Sequence, residues 1–155
     1  MKVRKVISLL IVIACLAAIL PASGTEAVCY IICNPQSYVC VRNKPKKGGK
    51  EAGRFDCGDY IITDGVKKNG YLHILGGFEG DSWVYAGNVV PDQPVIEKQK
   101  MRSNSNWSVV CRRSVKGEKV GTLKNGDTVT VYARSQEWAV TDKGYIMIEF
   151  LEVDE

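Results

Sequence analysis

The sequence predicts an all-β protein that contains two small, similar β-barrels in tandem. In residues 128–131, threonine and valine alternate, which is the period of a strand with one buried face. Asn125-Gly126 precedes this strand, and the dipeptide favours the positive φ angles of a tight hairpin turn. Residues 53–62 repeat the arrangement, with Gly58-Asp59 in the place of Gly126-Asp127. The chain therefore contains one small β module twice.

The chain begins like a secreted protein. Three basic residues among the first five precede an apolar run at 6–20 that holds a single serine, and Pro21 and small residues follow. A basic start, an apolar core of this length and a small-residue end describe a signal peptide, whereas a membrane span needs about 20 apolar residues. We therefore expect a signal peptide at 1–27, cleaved after Ala27 or, as the second choice, after Gly24.

Two other fates of the N-terminal segment stay open, namely an uncleaved membrane anchor and lipidation at Cys15. Residues 12–15 resemble the lipoprotein box of bacteria. A lipoprotein processed there would begin with the apolar residues 16–20, where a polar tether is usual. We therefore interpret Cys15 as part of the apolar core of the leader. We expect a secreted or cell-wall-associated protein that has no membrane attachment once the leader is removed.

The charge balance of the expected mature part argues against nucleic-acid binding. The leader holds three of the 21 basic residues and one of the 17 acidic residues, so residues 28–155 carry 18 against 16, a net charge of +2 with the histidine neutral. A nucleic-acid-binding domain is expected to present a clustered basic face. The one local cluster, at Lys44, Lys46, Lys47 and Lys50, adjoins glycines, and we interpret it as a solvated loop rather than an anion site.

Five cysteines follow the leader, and four of them lie in the first module: Cys29, Cys33, Cys40 and Cys57. Export to an oxidising compartment and a thin core both favour disulfides. We therefore expect a bridge among these four, with three complete pairings open. The fifth, Cys111, falls at an inward strand position and is expected to be a buried apolar residue. Zinc is the alternative, but the spacing is irregular for a zinc site, and we expect no metal and no other cofactor.

The first module is expected at 28–90 and should contain about five short strands. The regular turn signals between these strands and the lack of a helical period indicate a small barrel or sandwich. A loop rich in lysine and glycine at 43–52 follows the opening strand, and dipeptides such as Asn69-Gly70 mark later turns. The expected strands lie at 38–42, 54–63, 71–75 and 83–85.

A linker is expected at 91–106, because two prolines and a polar run without alternation fill this segment. The second module follows at 107–155. Its expected strands lie at 109–113, on both sides of Asn125-Gly126, at 137–141 and at 145–151. Each module has about 50 residues, so burial alone gives it marginal stability.

The parts of each module follow one order: a strand that ends near arginine, a glycine-flanked hairpin, an aromatic residue at the next strand and a late Tyr or Trp followed by an aliphatic residue. In the second module these parts are Cys111-Arg112-Arg113-Ser114, residues 121–126, Glu137-Trp138 and Gly144-Tyr145-Ile146. In the first they are residues 41–45, residues 53–58, Gly70-Tyr71 and Ser82-Trp83-Val84. This order resembles the bacterial SH3-like (SH3b) domain family.

The resemblance implies two SH3-like barrels that act outside the cytoplasm and bind cell-wall peptidoglycan or another protein. It covers nearly all of the expected mature chain. The sequence departs from the family in the first loop of the second module, which lacks a proline, and in the first module, where Tyr71 replaces the usual tryptophan. These departures weigh against a ligand pocket shared with the family more than they weigh against the family's fold.

The chain offers few candidates for catalysis. His73 is the sole histidine, and a Cys–His nucleophilic pair would need a thiol within hydrogen-bond reach of it. The sequence places no cysteine at an expected strained turn or helix start, where its pKa would fall. We therefore expect a protein without enzymatic activity.

Aromatic side chains are the candidate binding residues, because aromatic faces with a few polar groups form grooves for extended peptides or sugars. The candidates are Tyr71, His73, Trp83, Tyr85, Trp138 and Tyr145. Tyr71 and His73 share a strand face that we expect to be exposed, whereas Trp83, Trp138 and Tyr145 are expected to lie mostly in the core. The predicted function is recognition of the peptide or glycan of peptidoglycan. The alternative is a structural protein whose two barrels bind another secreted or surface protein.

Overall fold

The computed structural model describes residues 24–154 and consists mainly of antiparallel strands. The first sheet contains β1 (Ala27–Ile31), β2 (Tyr38–Arg42), β3 (Glu51–Asp56), β4 (Tyr60–Lys68), β5 (Tyr71–Ile74), β6 (Ser82–Tyr85) and β7 (Val89–Val90). The second contains β8 (Val95–Ser103), β9 (Val109–Arg112), β10 (Lys119–Leu123), β11 (Thr128–Arg134), β12 (Trp138–Thr141), β13 (Gly144–Met147) and β14 (Leu151–Val153). Short 3-10 helices at Ala86–Asn88 and Ile148–Phe150 precede β7 and β14. The all-β prediction is confirmed; the predicted leader lies, up to residue 23, outside the described residues.

Both sheets have the same strand order. It is β3-β2-β6-β5-β4-β1-β7 in the first sheet and β10-β9-β13-β12-β11-β8-β14 in the second. Each position in the second sheet is therefore filled by the strand seven places later in the chain. The edge strands β3 and β7, and likewise β10 and β14, do not pair with each other within residues 24–154, so the hydrogen bonding leaves each sheet open rather than closed into a complete barrel.

An aspartate closes the same hairpin turn in each module. The Asp56 N–H donates to the Asp59 carboxylate at 2.8 Å, and the Lys124 N–H donates to the Asp127 carboxylate at 2.7 Å. The glycine before each aspartate has a positive φ, of 93° and 83° respectively, as the sequence predicts. Asn125 does not have a positive φ, so the turn is a four-residue turn held by a side chain rather than a two-residue hairpin turn.

The segment expected to be a linker, residues 91–106, forms the nine-residue strand β8 over much of its length. The backbone of β8 pairs with β11 on one side and β14 on the other. Only Met101 and Ser103 of its side chains are buried, so the segment lacks the apolar alternation by which strands are recognised in sequence. The linker prediction is wrong for residues 95–103, because backbone pairing rather than side-chain burial makes this segment a strand.

The predicted cleavage site lies at the start of a strand. Ala27 opens β1 and pairs with Thr63, and the Gly24 N–H donates to the Asp64 carbonyl at 2.7 Å. Cleavage after Ala27 would remove the first residue of β1, whereas cleavage after Gly24 would leave that strand complete.

The two sheets share a hydrophobic core through β12, whose four residues are all buried. Successive strand residues point to opposite faces, and Ala139 belongs to the core of the second sheet. Trp138 and Val140 belong instead to the cluster that contains Ile31 and Leu72 of the first sheet. Because β12 is covered on both faces, burial of its apolar side chains, at about 1.5–3 kcal/mol for each large one, stabilises both modules at once.

Polar contacts fix the geometry of this shared core. The hydroxyl of Tyr145 donates to the Ile32 carbonyl at 3.0 Å and accepts from Asn88 Nδ2 at 2.7 Å. Burial raises the pKa of this hydroxyl, because the charged form would have to exist without water. A buried hydroxyl that both donates and accepts is fully satisfied, so the contact holds the second module in one position against the first.

We expect Tyr145→Phe to lower the free energy of unfolding by about 1–3 kcal/mol, because the substitution removes the hydroxyl and leaves the buried Ile32 carbonyl with a weaker partner. Urea denaturation measures the loss. Tyr60→Phe is the matched control, since Tyr60 is 66% exposed and its hydroxyl is therefore open to water. Equal stability of the Tyr145→Phe variant and the native protein would contradict the account.

Candidate functional site

A cleft of about 460 Å³ lies where the two modules meet. The first module lines it with the 3-10 helix and β7, and the second with the loop at 115–117 and the segment at 135–138. Small-molecule and peptide sites commonly have volumes of about 300–1,000 Å³ and lie between domains. The cleft therefore has the size and the position of a ligand site.

Gly87 allows the loop of the second module to reach the first. The Val115 N–H donates to the Gly87 carbonyl at 2.9 Å. A Cβ at position 87 would lie 2.5 Å from Ser114 Oγ and 2.5 Å from the Tyr85 ring, which is closer than side chains approach. The absence of a side chain at this position thus lets one wall of the cleft form.

Two of the predicted binding residues, Tyr85 and Trp138, line the cleft. Tyr85 is 41% exposed, and Tyr71 packs edge-on against its ring with the ring centroids 5.7 Å apart. Trp138 is only 4% exposed, so it forms the wall of the cleft rather than a free surface. Tyr85, supported by Tyr71, is the aromatic face that a ligand could contact.

Charged side chains of both signs surround this aromatic face. Lys67 and Lys116 line the cleft with Asp92 and Glu137. The Asp92 carboxylate already accepts a hydrogen bond from the Gln136 N–H at 2.8 Å, whereas Lys67, Lys116 and Glu137 form no ion pair with any residue in the described part of the chain. The cleft is therefore suited to a ligand that carries both an amine and a carboxylate.

The other predicted residues lie away from the cleft lining. Trp83 and Tyr145 are each 8% exposed and belong to the interior, as the sequence predicts. Tyr71 and His73 are half-buried rather than exposed, because each packs against an aromatic residue of β6. The His73 ring packs against Trp83 with the ring centroids 4.9 Å apart and the ring planes tilted by 46°.

His73 pairs with a carboxylate and not with a thiol. Its Nδ1 lies 2.8 Å from Asp64 Oδ2. Burial of Asp64 raises the pKa of this carboxyl, but hydrogen bonds from His73 and from the Val66 N–H, together with the charge of His73, outweigh it and hold the pKa below its ordinary value. The pair therefore stabilises the ionised form of Asp64 and links β4 to β5.

Sequence reasoning missed the charged residues of the cleft. Lys67, Asp92, Lys116 and Glu137 come from four separate segments in two modules, and only the docking of the modules brings them together. The one local signal in the sequence is Gly117, which favours a turn at 116–117; in the structure Lys116 has a positive φ of 55° there. A turn signal alone does not distinguish a binding loop from any other loop.

Residues 24–154 contain no group of three His, Cys, Asp or Glu side chains placed to hold a metal ion. In the same part of the chain, no helix is long and apolar enough to span a membrane.

Neither a search of protein-family models nor a search of curated proteins gave a match. Among solved structures, the chain is similar to NlpC1 from Trichomonas vaginalis, with 15% identity and a TM-score of 0.35, and to NlpC2 from the same organism, with 14% identity and a TM-score of 0.33. The alignments cover 88% and 86% of this chain but only 51% and 50% of those proteins, so the chain spans about half their length.

The endolysin LysPBC5 CBD is also similar, with 15% identity, a TM-score of 0.31, and coverage of 87% of this chain and 98% of that one. All three TM-scores are below 0.5. The fold is therefore defined by the strand pairing of this chain itself.

We expect Asp64→Asn to lower the free energy of unfolding by about 1 kcal/mol at pH 7, because the charge-assisted hydrogen bond to His73 is lost. A carboxyl whose pKa is lower in the folded than in the unfolded state stabilises the protein at pH values above the unfolded-state pKa, which is about 3.9 for aspartate. This stabilisation is lost as the pH falls through the pKa of the folded state. The difference between variant and native protein should therefore shrink below pH of about 4.

Denaturation at a series of pH values measures this difference. Asp81→Asn is the matched control, since Asp81 is exposed and forms no ion pair within the described residues. A pH-independent loss in the Asp64→Asn variant would contradict the electrostatic explanation.

Proposed function

We propose that this chain is a non-catalytic binding protein that recognises bacterial cell-wall peptidoglycan in the cleft between its two modules. The cleft is the observation on which the proposal depends. It combines the exposed ring of Tyr85 with unpaired cationic and anionic side chains, Lys116 and Glu137 among them. Peptidoglycan supplies matching groups, because its glycan chains carry short peptides with both amines and carboxylates.

The sequence resemblance to bacterial SH3-like domains supports the same function. It extends over both modules, and the turn glycines of the resemblance, Gly58 and Gly126, occupy equivalent places in the two sheets. The predicted signal peptide agrees with a site of action outside the cytoplasm. A lack of catalysis is part of the proposal. Asp64 could orient His73 as a carboxylate does in a catalytic triad, but within residues 24–154 no cysteine or serine side chain is hydrogen-bonded to His73 to act as the nucleophile.

We expect the purified protein to co-sediment with insoluble peptidoglycan in a saturable way, and Tyr85→Ala to weaken the apparent affinity about three- to tenfold. The reason is that an aromatic contact contributes about 0.5–1.5 kcal/mol beyond the area it buries. Trp138 is a poorer target for substitution because it is buried in the shared core, where alanine would destabilise the fold as well.

Tyr60→Ala is the matched control, because Tyr60 is 66% exposed and does not line the cleft. It should bind like the native protein. Equal loss in both variants would place the binding elsewhere, and the absence of any saturable binding by the native protein would contradict the proposal. Release of soluble fragments from the peptidoglycan would contradict the non-catalytic part.

A second candidate function, binding to another secreted or surface protein, is favoured by an exposed apolar patch on the first sheet. Val28 and Ile62 lie directly opposite each other in β1 and β4 and are 50% and 40% exposed, with Tyr60 two residues from Ile62. If a protein partner is captured instead of peptidoglycan, Ile62→Ser should release it while Tyr85→Ala should not.

A further inference from the structure

Two cysteines that are distant in sequence meet at the end of β1. Cys33 lies two residues beyond this strand, and Cys57 lies between β3 and β4. The Ile31 N–H donates to the Asp59 carbonyl at 2.8 Å and the Gly58 N–H donates to the Ile31 carbonyl at 2.9 Å, so the two backbone segments run side by side. The Cys33 N–H lies 3.5 Å from the Cys57 sulfur and donates to it.

The other three described cysteines have different surroundings. Cys29 pairs with Ile61 across the sheet and is buried. The Cys40 thiol donates to the Glu51 carboxylate at 3.4 Å. Cys111 lies in the core of the second sheet. All five described cysteines are free thiols in the structure, so the predicted disulfide is not formed there. Among residues 24–154, Cys33 and Cys57 are the one pair of cysteines joined by a hydrogen bond from a backbone N–H to a sulfur.

The chemistry of the pair is asymmetric, and it corrects the expectation that no cysteine lies at a turn that would lower its pKa. Cys57 directly precedes Gly58, whose φ of 93° is positive. Hydrogen bonding with the Cys33 thiol and with the Cys33 N–H lowers the pKa of Cys57 although burial opposes it. The same contact, together with burial, raises the pKa of Cys33. One sulfur is thus disposed to be a thiolate and its neighbour to remain a thiol.

We propose that Cys33 and Cys57 form the disulfide of the first module when the folding chain meets a disulfide oxidant such as oxidised glutathione or a protein disulfide. The Cys57 thiolate attacks one sulfur of the oxidant, which releases one thiolate and leaves a mixed disulfide on Cys57. Cys33 then loses its proton and attacks the Cys57 sulfur, and the second thiolate leaves. The protein gives up two electrons and two protons, and the oxidant becomes two thiols.

The bridge stabilises the place where the second module docks. Ile32, next to Cys33, supplies the carbonyl that accepts from the Tyr145 hydroxyl at 3.0 Å. The two cysteines are 24 residues apart, so a covalent bond between them removes much of the freedom of the unfolded first module. Cys33 and Cys57 are nearly inaccessible in the folded protein, at 4% and 9% exposure, which protects the bond from reduction once it has formed.

The second module has no corresponding pair. Gly126 and Asp127 occupy the places of Gly58 and Asp59 in the turn, so Asn125 stands where Cys57 stands. Ser105 likewise stands where Cys33 stands, because Ser103 makes the backbone hydrogen bonds of Ile31. The bridge is therefore a feature of the first module alone.

Refolding of the protein with oxidised and reduced glutathione, followed by alkylation and peptide mapping by mass spectrometry, tests the pairing. We expect a linked peptide pair that contains Cys33 and Cys57, a mass about 2 Da below that of the reduced chain, and alkylation of the remaining cysteines. The oxidised protein should also unfold about 10 °C above the reduced protein.

Cys33→Ser should lose the linked peptides and the thermal shift, whereas Cys40→Ser, the control, should keep both. If Cys33→Ser fails to fold, the peptide map of the native protein decides alone. A bridge that contains Cys29, Cys40 or Cys111, or alkylation of both Cys33 and Cys57 in the refolded protein, would overturn the proposal. None of these results depends on peptidoglycan binding.

Discussion

The hydroxyl of Tyr145 is the contact on which the relation between the two modules depends. It is buried, it donates to the Ile32 carbonyl and it accepts from Asn88. These partners lie at opposite ends of the first sheet's sequence, one after β1 and one before β7. A buried hydroxyl of this kind tolerates little displacement, because the Ile32 carbonyl and Asn88 Nδ2 would be left only with the longer hydrogen bond between them, at 3.3 Å, and no access to water. The position of the second module against the first therefore determines the shape of the cleft between them.

The two modules have one topology but different tasks. In the second, β12 is buried on both faces, so the module presents Trp138 and Val140 to its neighbour. In the first, the equivalent strand β5 carries Tyr71 and His73, which are half-buried against Tyr85 and Trp83. The same position in the strand order therefore forms a docking face in the second module and an aromatic surface in the first.

Much of the fold could be predicted from the sequence, because alternating residues and glycine turns act locally. Residues 128–131 and Gly58-Asp59 are such signals, and the structure has the strand and the turn. Strand β8 could not be predicted, since it depends on backbone pairing with distant segments. The same holds for the site: Tyr85 was recognisable as an aromatic residue, but Lys116 and Glu137 become neighbours of it only after docking.

An NMR titration of the folded protein with a soluble peptidoglycan fragment tests most directly whether ligand binding uses the cleft between the modules. The account predicts amide shifts on both sides of the cleft, at Tyr85 and Gly87 in the first module and at Lys116 and Glu137 in the second. Signals of Val28 and Ile62, on the exposed apolar patch, should not move. Shifts confined to that patch, or to one module only, would contradict the account.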